Sequence, residues 1–300
     1  MATFFARAAW RSRISAGLCI CVGGALLLPG MQAAKAVWET GRSAADVLHE
    51  PKWPPAFPLD AKDMSRLDET SDALFYSQPR FVQHIDEYAV KTLNRHYREV
   101  RAHCERQRLR NPERARCFTF HLQVLPKGGA VLDLMSSWTS HLATGAGAEK
   151  SDGWFARLSA VGMNEAELAR NPGLHDYHVA DLNEKPSLAM YADNSFDAVF
   201  CSVSVDYLSQ PLVVFSEIRR VLRPGGLVVF TWSNRMFPTK AINAWRLASE
   251  PARLWICGAY IHYTGGFSAP EGVDLSPYPG RTDPVYAVSA RKLPAGKEEL

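Results

Sequence analysis

The chain has 300 residues, 47% of them hydrophobic and 22% charged, enough to bury one substantial core with a small appendage. Its formal charge of +3 becomes −1, with 30 basic against 31 acidic residues, once the four basic residues of the first 36 are set aside; bulk charge therefore gives no reason to expect a nucleic-acid partner. Cys19 and Cys21 lie in that opening segment, and Cys104, Cys117, Cys201 and Cys257 lack the paired spacing of a zinc site, so no metal is expected. Unpaired thiols are the simpler reading of these four, a Cys104–Cys117 disulfide the alternative.

Residues 1–36 have the layout of a targeting peptide. Arg7, Arg11 and Arg13 precede an apolar run from Ile14 to Leu28, then Pro29-Gly30 and a small-residue Ala34-Lys35-Ala36. The run is about 15 residues, shorter than the roughly 20 needed to span a bilayer, so cleavage near Ala36 and a mature chain without a stable membrane span are expected. A retained anchor is the alternative. An acid-free start with Arg and Ser ahead of the apolar run suits chloroplast import, with a thylakoid-type signal second; a mitochondrial or secreted protein would look similar.

Residues 37–80, with "HEPKWPPAFPLDAKD", are rich in Pro and lack sustained periodicity, which predicts a linker or surface-wrapping arm without chemistry of its own. From Phe81 the spacing of Phe81, Ile85, Tyr88, Ala89, Leu93, Tyr97 and Val100 predicts a helix laid on the core. Its continuation holds Arg101, Arg106, Arg108, Arg110, Arg114 and Arg116 without interleaved aromatics, which reads as a solvated helix end and loop more readily than as a nucleic-acid surface.

After Gly128-Gly129 apolar runs alternate with helical stretches. "AVLDLM", "WFARLSAVGM", "LHDYHVADL", "FDAVFCSVS" and "GLVVFTWS" are the strand candidates, and "PLVVFSEIRRVL" is a helix with Pro211 in its first turn, stopped by Pro224-Gly225-Gly226. Such alternation predicts right-handed βαβ units, a parallel sheet, and a ligand beyond the carboxyl ends of the strands.

"NSFDAVFCSVSVDYL" followed by "FSEIRRVLRPGGLVVFTWSN" resembles the second half of class I S-adenosylmethionine-dependent methyltransferases of the type-11 kind, and the likeness extends over about residues 128–240. The resemblance implies a Rossmann-like α/β fold: a seven-stranded sheet, mostly parallel with an antiparallel C-terminal strand, and helices on both faces. It makes residues 81–300 a methyltransferase-like domain, with 128–240 its core. It implies S-adenosyl-L-methionine as cofactor, with Asp133 ending the first strand, Asn164 where the family usually has a ribose-binding acid, and Asp181 and Leu182 at the adenine; Ser136, Ser137 and Cys201 complete the cofactor-side candidates.

The chain departs from the family in one place. The glycines of D-x-G-x-G-x-G are replaced by Met135, Ser137 and Thr139, in a Ser-Ser-Trp stretch followed by Ser-His that resembles a variant methyltransferase-like group. Glycine serves such a turn by accepting positive φ and by admitting the cofactor without a Cβ, so the loop is expected to take another path or leave a smaller pocket. Ser136, Ser137, Thr139 and Ser140 could cap a helix start or bond a ligand carboxylate in its place.

Because a sulfonium already carries an activated methyl group, holding a nucleophile in line with it is most of the catalysis. Tyr207 and His141 are the weak catalytic candidates. Asn234 and Arg235 are expected to face the cleft, and Trp138 and Trp232 to suit an apolar or planar acceptor. The function expected is methyl transfer to a small molecule, the alternative an inactive methyltransferase-fold binding or scaffold module. Neither acceptor nor oligomeric state is legible.

Overall fold

The computed structural model describes residues 46–107, 127–142, 154–294 and 296. The targeting segment, most of the arginine-rich stretch and the side chains of Cys104 and Cys117 lie outside the described residues. Seven strands form one sheet: β1 (Ala130–Ser136), β2 (Arg157–Gly162), β3 (Asp176–Val179), β4 (Phe196–Ser202), β5 (Leu222–Trp232), β6 (Glu271–Asp274) and β7 (Tyr286–Arg291). Their order is β3-β2-β1-β4-β5-β7-β6; β1 to β5 pair in parallel, and β7 runs antiparallel to both neighbours. Every strand expected from an apolar run is present.

The runs are continuous because the sheet is covered on both faces. Leu132, Leu134, Val199, Cys201, Val228 and Phe230 point into one core, and Val131, Ala198, Phe200, Leu227 and Val229, their alternating neighbours, into the other. The first layer is closed by two later helices that flank β5: Val214, Phe215, Ile218 and Val221 face it from one and the buried run Leu254–Ile261 from the other. Ile85, Ala89, Leu93 and Tyr97 close the second.

The helices are α1 (Ala61–Met64), α2 (Asp72–Phe75), α3 (Glu87–Gln107), α4 (Glu165–Arg170), α5 (Pro211–Val221), α6 (Asn243–Leu247) and α7 (Glu250–Thr264). α3 starts six residues later than the periodicity suggested, because Asp86 accepts the Ala89 amide proton through Oδ1 at 2.8 Å and caps it there. Phe81 therefore belongs to the preceding segment, and it and Tyr88 are exposed, not on the buried face. Among the described residues no helix is long and apolar enough to cross a membrane.

The Pro-rich arm is not a loose linker. Val47 and Leu48 join the core against α7, where Gly258 leaves room for the Leu48 methyls; Trp53 stacks on His262 at 4.7 Å, and the Tyr263 hydroxyl donates to the Pro54 carbonyl. The arm then crosses to the strand ends. Arg66 bridges Ile242, the Asp68 amide donates to the Thr239 carbonyl at 2.9 Å, and the fully buried Lys240 ammonium reaches Asp68 and Asp72 at 3.1 and 3.2 Å.

Candidate active site

A cavity of about 290 Å³ opens at the carboxyl ends of β1 to β5, where a parallel sheet places its ligands. Asp133, Met135 and Ser136 come from β1, Asn164 and Glu167 from the turn and helix after β2, Asp181 and Leu182 from the turn after β3, Val203 and Tyr207 follow β4, and Arg235 and Phe237 follow β5. Asp72, Tyr76, Arg80, His84 and Ile85 line it from the other side. The arm, expected to carry no chemistry, is thus one wall of the cavity; its contribution depends on contacts with residues more than a hundred positions away, which leave no local pattern.

The glycine-free loop keeps the glycine path at its first position. Met135 has φ +56°, and β1 bulges between Leu134 and Ser136. An L-residue held left-handed costs about 1–2 kcal/mol, a strain that collects at functional sites. Val203, at the end of β4 and also on the cavity wall, has φ +54°. Gly162 supplies the close approach across β1 and β2: a Cβ there would collide with the Ser136 carbonyl. Met135→Val should lower the unfolding free energy by about 2 kcal/mol, since a β-branched chain is worse still in this conformation, whereas Met135→Gly should be near neutral, the relieved strain offsetting lost packing. Urea denaturation of the two variants measures the contrast; equal losses would place the strain elsewhere.

The serines do not cap a helix, since residues 137–142 form none. They hold carboxylates instead. Ser136 Oγ donates to Asp133 Oδ2 at 2.6 Å, and Ser137 Oγ to Glu167 Oε2 at 2.5 Å. Burial pushes the Asp133 carboxyl up to about 6 against the lowering effect of Ser136. Thr139 lines the cavity, Ser140 is buried beside it, and Trp138, also on the wall, donates from Nε1 to the Val82 carbonyl at 3.2 Å.

Asn164 is committed twice. Its Oδ1 caps α4 by accepting the Glu167 amide proton at 3.1 Å, and its Nδ2 donates to the Tyr76 carbonyl at 2.8 Å. One turn along α4, Glu167 puts a carboxylate on the same wall. In a capping box this third residue would reach back to the cap amide; here it turns to Ser137 and to the Arg80 amide, at 2.6 Å. Glu167 is the acid that sequence reading missed, and its only signal was the "NEAEL" helix start.

Asp181 Oδ1 accepts the Asn183 amide proton at 2.8 Å and the Glu184 one at 3.2 Å, an Asx turn that fixes the carboxylate; Leu182 is buried next to it. Cys201 is fully buried in the β4 core and not among the lining residues, so the structure does not bring it to the cofactor-side candidates; burial pushes its thiol up. Trp232 is likewise core, packed on Trp245, and Asn234 is off the wall. Arg235 is on it, paired with Asp283 at 2.7 Å.

On the other side Tyr207 accepts the Phe237 amide proton at 2.8 Å, and burial pushes its phenol well above the ordinary range, so it is a neutral hydroxyl. Desolvation lowers His141 to about 4 and also lowers His84, which packs edge-on to Phe237 at 5.2 Å; both are neutral imidazoles at pH 7.

Residues 143–230 match the family model described as a methyltransferase domain, a stretch that begins just past the serine loop. A probable methyltransferase of Aspergillus luteorubrus is 33% identical over 92 residues, 29% of this chain and 29% of its own length. The malonyl-[acyl-carrier protein] O-methyltransferase of a Marinomonas species is 35% identical over 78 residues, 25% of this chain and 27% of that protein. The chain thus spans about a third or less of the curated relatives it matches. Among solved structures, an S-adenosylmethionine dependent methyltransferase from Mesorhizobium loti is 18% identical, covering 56% of this chain and 93% of that one with a TM-score of 0.38. By its strand order and its matched segment, this chain carries a methyltransferase domain of the class I, S-adenosylmethionine-dependent kind.

Proposed function

We propose that the protein transfers a methyl group from S-adenosylmethionine to a small-molecule acceptor held under the arm. The observation that supports this most is the grouping of Asp133, Glu167 and Asp181 at the ends of β1, β2 and β3, beside the close β1–β2 approach at Gly162. The donor set fits the cofactor. Asp181, whose Oδ1 is occupied by backbone, offers its other oxygen to the adenine amino group. Glu167 accepts ribose hydroxyls in place of Asn164, whose amide is spent on the helix cap and the arm. Asp133 places negative charge near the sulfonium. When bound, the cofactor supplies the activated methyl.

The chain's own residues then orient the acceptor and keep water out. Tyr207, fixed by its hydrogen bond to the Phe237 amide, can donate to an acceptor oxygen. His84, neutral and on the arm side, can take the proton that an acceptor hydroxyl loses as its oxygen is methylated.

Calorimetry of the full chain with S-adenosylhomocysteine tests the reading. Micromolar binding is expected, and Asp181→Ala should weaken it about ten- to a hundredfold by leaving the adenine amino donor unpaired, with folding intact. Glu167→Gln should weaken it more than Asn164→Ala does in binding, once each is corrected for folded fraction. Absence of heat at millimolar cofactor would overturn the proposal.

A further inference from the structure

Arg80 stands out on the arm wall. Its guanidinium lies over the Phe75 ring at 4.6 Å, with Phe237 at 5.5 Å and Tyr76 at 5.8 Å, so three aromatic rings fix its plane. One nitrogen, Nη2, donates to the Phe75 carbonyl at 2.9 Å. The other, Nη1, is buried with no hydrogen-bond partner, and no carboxylate among the described residues forms an ion pair with it. The other charged residues of the arm side are neutralised where they stand: Asp72 by Arg66 at 2.7 Å and Lys240 at 3.2 Å, Arg235 by Asp283. Glu167, the nearest acid in the chain's own bonding, takes the Arg80 backbone amide and not its guanidinium. A buried, unpaired, permanently charged fork is costly unless something fills it, and its donors match a carboxylate in particular.

We propose that Arg80 anchors a carboxylate of the methyl acceptor, and that the acceptor is an acid with a planar or apolar body lying against Phe237 and Tyr76. This rests on the methyltransferase reading. The cofactor determinants Asp133, Glu167 and Asp181 sit over β1 to β3, whereas the rings around Arg80 include Phe237, which follows β5 and is tied to Tyr207 after β4. The charge of Arg80 therefore faces the acceptor half of the cavity. A carboxylate there also leaves the acidic half free for the sulfonium, so the two ligands present opposite charges to opposite walls.

The test uses the full chain saturated with S-adenosylhomocysteine and titrated with benzoate, or with benzamide as its uncharged isostere. Benzoate should bind at least about tenfold more tightly than benzamide. Arg80→Gln should abolish that preference, and Arg80→Lys, which keeps the charge without the fork and guards against loss of folding in the first variant, should retain part of it. Equal binding of the two probes to the wild type, or a benzoate preference surviving in Arg80→Gln, would overturn the proposal. The cofactor has a carboxylate of its own, so both variants are also titrated with S-adenosylhomocysteine and with methylthioadenosine, which lacks that group. Unchanged affinity for both supports the acceptor as the source; about tenfold weaker binding of the first with the second unaffected assigns Arg80 to the cofactor and overturns the proposal. Failure of the wild type to bind S-adenosylhomocysteine would strike the methyltransferase reading instead, and benzoate titration of the free chain would still read the anchor.

Discussion

Lys240→Met should lower the unfolding free energy by about 3 kcal/mol and free the arm from the strand ends. The Lys240 side chain is only 1% exposed, and its ammonium is satisfied by Asp68 and Asp72 together with the Thr70 carbonyl at 2.7 Å. Asp72 keeps Arg66, and Asn183 donates to it at 2.8 Å, so it is not orphaned by the change. Asp68 and the carbonyls of the Asp68–Thr70 turn lose their buried donor. The Thr70 hydroxyl and amide, with Lys240 after them, hold the Asp68 carboxyl down at about 2. A carboxyl lowered in the fold stabilises above its unfolded value near 4 and loses that support only as pH falls toward 2, so the clasp is closed at all ordinary pH. Guanidinium denaturation reads the energy, and limited proteolysis between residues 61 and 80 reads the arm. An unchanged midpoint with an unchanged cleavage rate would mean the arm is held by its aromatic contacts alone.

That clasp shows where sequence reading stops. The strands were legible because a sheet covered on both faces needs unbroken apolar runs, and α5 because Pro211 and the Pro-Gly-Gly stop bracket a clean helical period. Asp133 and Asp181 were legible for a related reason: an acid ending an apolar run in a βα turn has few places to go except the carboxyl edge of the sheet. The arm had no such signature. Pro-rich and aperiodic, it is ordered by partners such as Thr239, Lys240 and Ile242, which lie some 170 residues away in sequence. Tyr76, Arg80 and His84 were invisible with it. Met135 misled in the opposite direction: its side chain argued for a different loop path, but strain of one or two kcal/mol is small beside the packing of β1 between β2 and β4, so the backbone kept the left-handed turn. Asn164 showed the cost of reading one position at a time, because the acid it lacks stands a single helical turn farther on, at Glu167.

Asp133→Asn should make the protein more stable at pH 8, by about 2–3 kcal/mol, while changing little near pH 4. The wild-type carboxyl is buried at the end of β1 and is raised to about 6 by that burial, against an unfolded value of 3.8. For an acid raised in the fold the sign is the reverse of that at Asp68. Between about pH 4 and 6 the folded state holds a proton that the unfolded chain has lost, so stability falls as pH rises through that window and stays lower above it. Two pKa units correspond to roughly 3 kcal/mol, from which the unpaired amide hydrogens of Asn subtract a part. Ser136 Oγ can still donate to the Asn oxygen, so the local geometry has reason to persist. A residue that destabilises the free protein at neutral pH and lines the cavity is accounted for if a cation repays it there. Binding of S-adenosylmethionine should then tighten from pH 5 to pH 7 in the wild type, as the sulfonium draws the proton off Asp133, and lose that dependence in Asp133→Asn. Parallel urea titrations and cofactor calorimetry at the two pH values measure both halves. If the variant is no more stable at pH 8, Asp133 is not held at an energetic cost; if its pH dependence of binding matches the wild type, the charge that meets the sulfonium belongs to another residue.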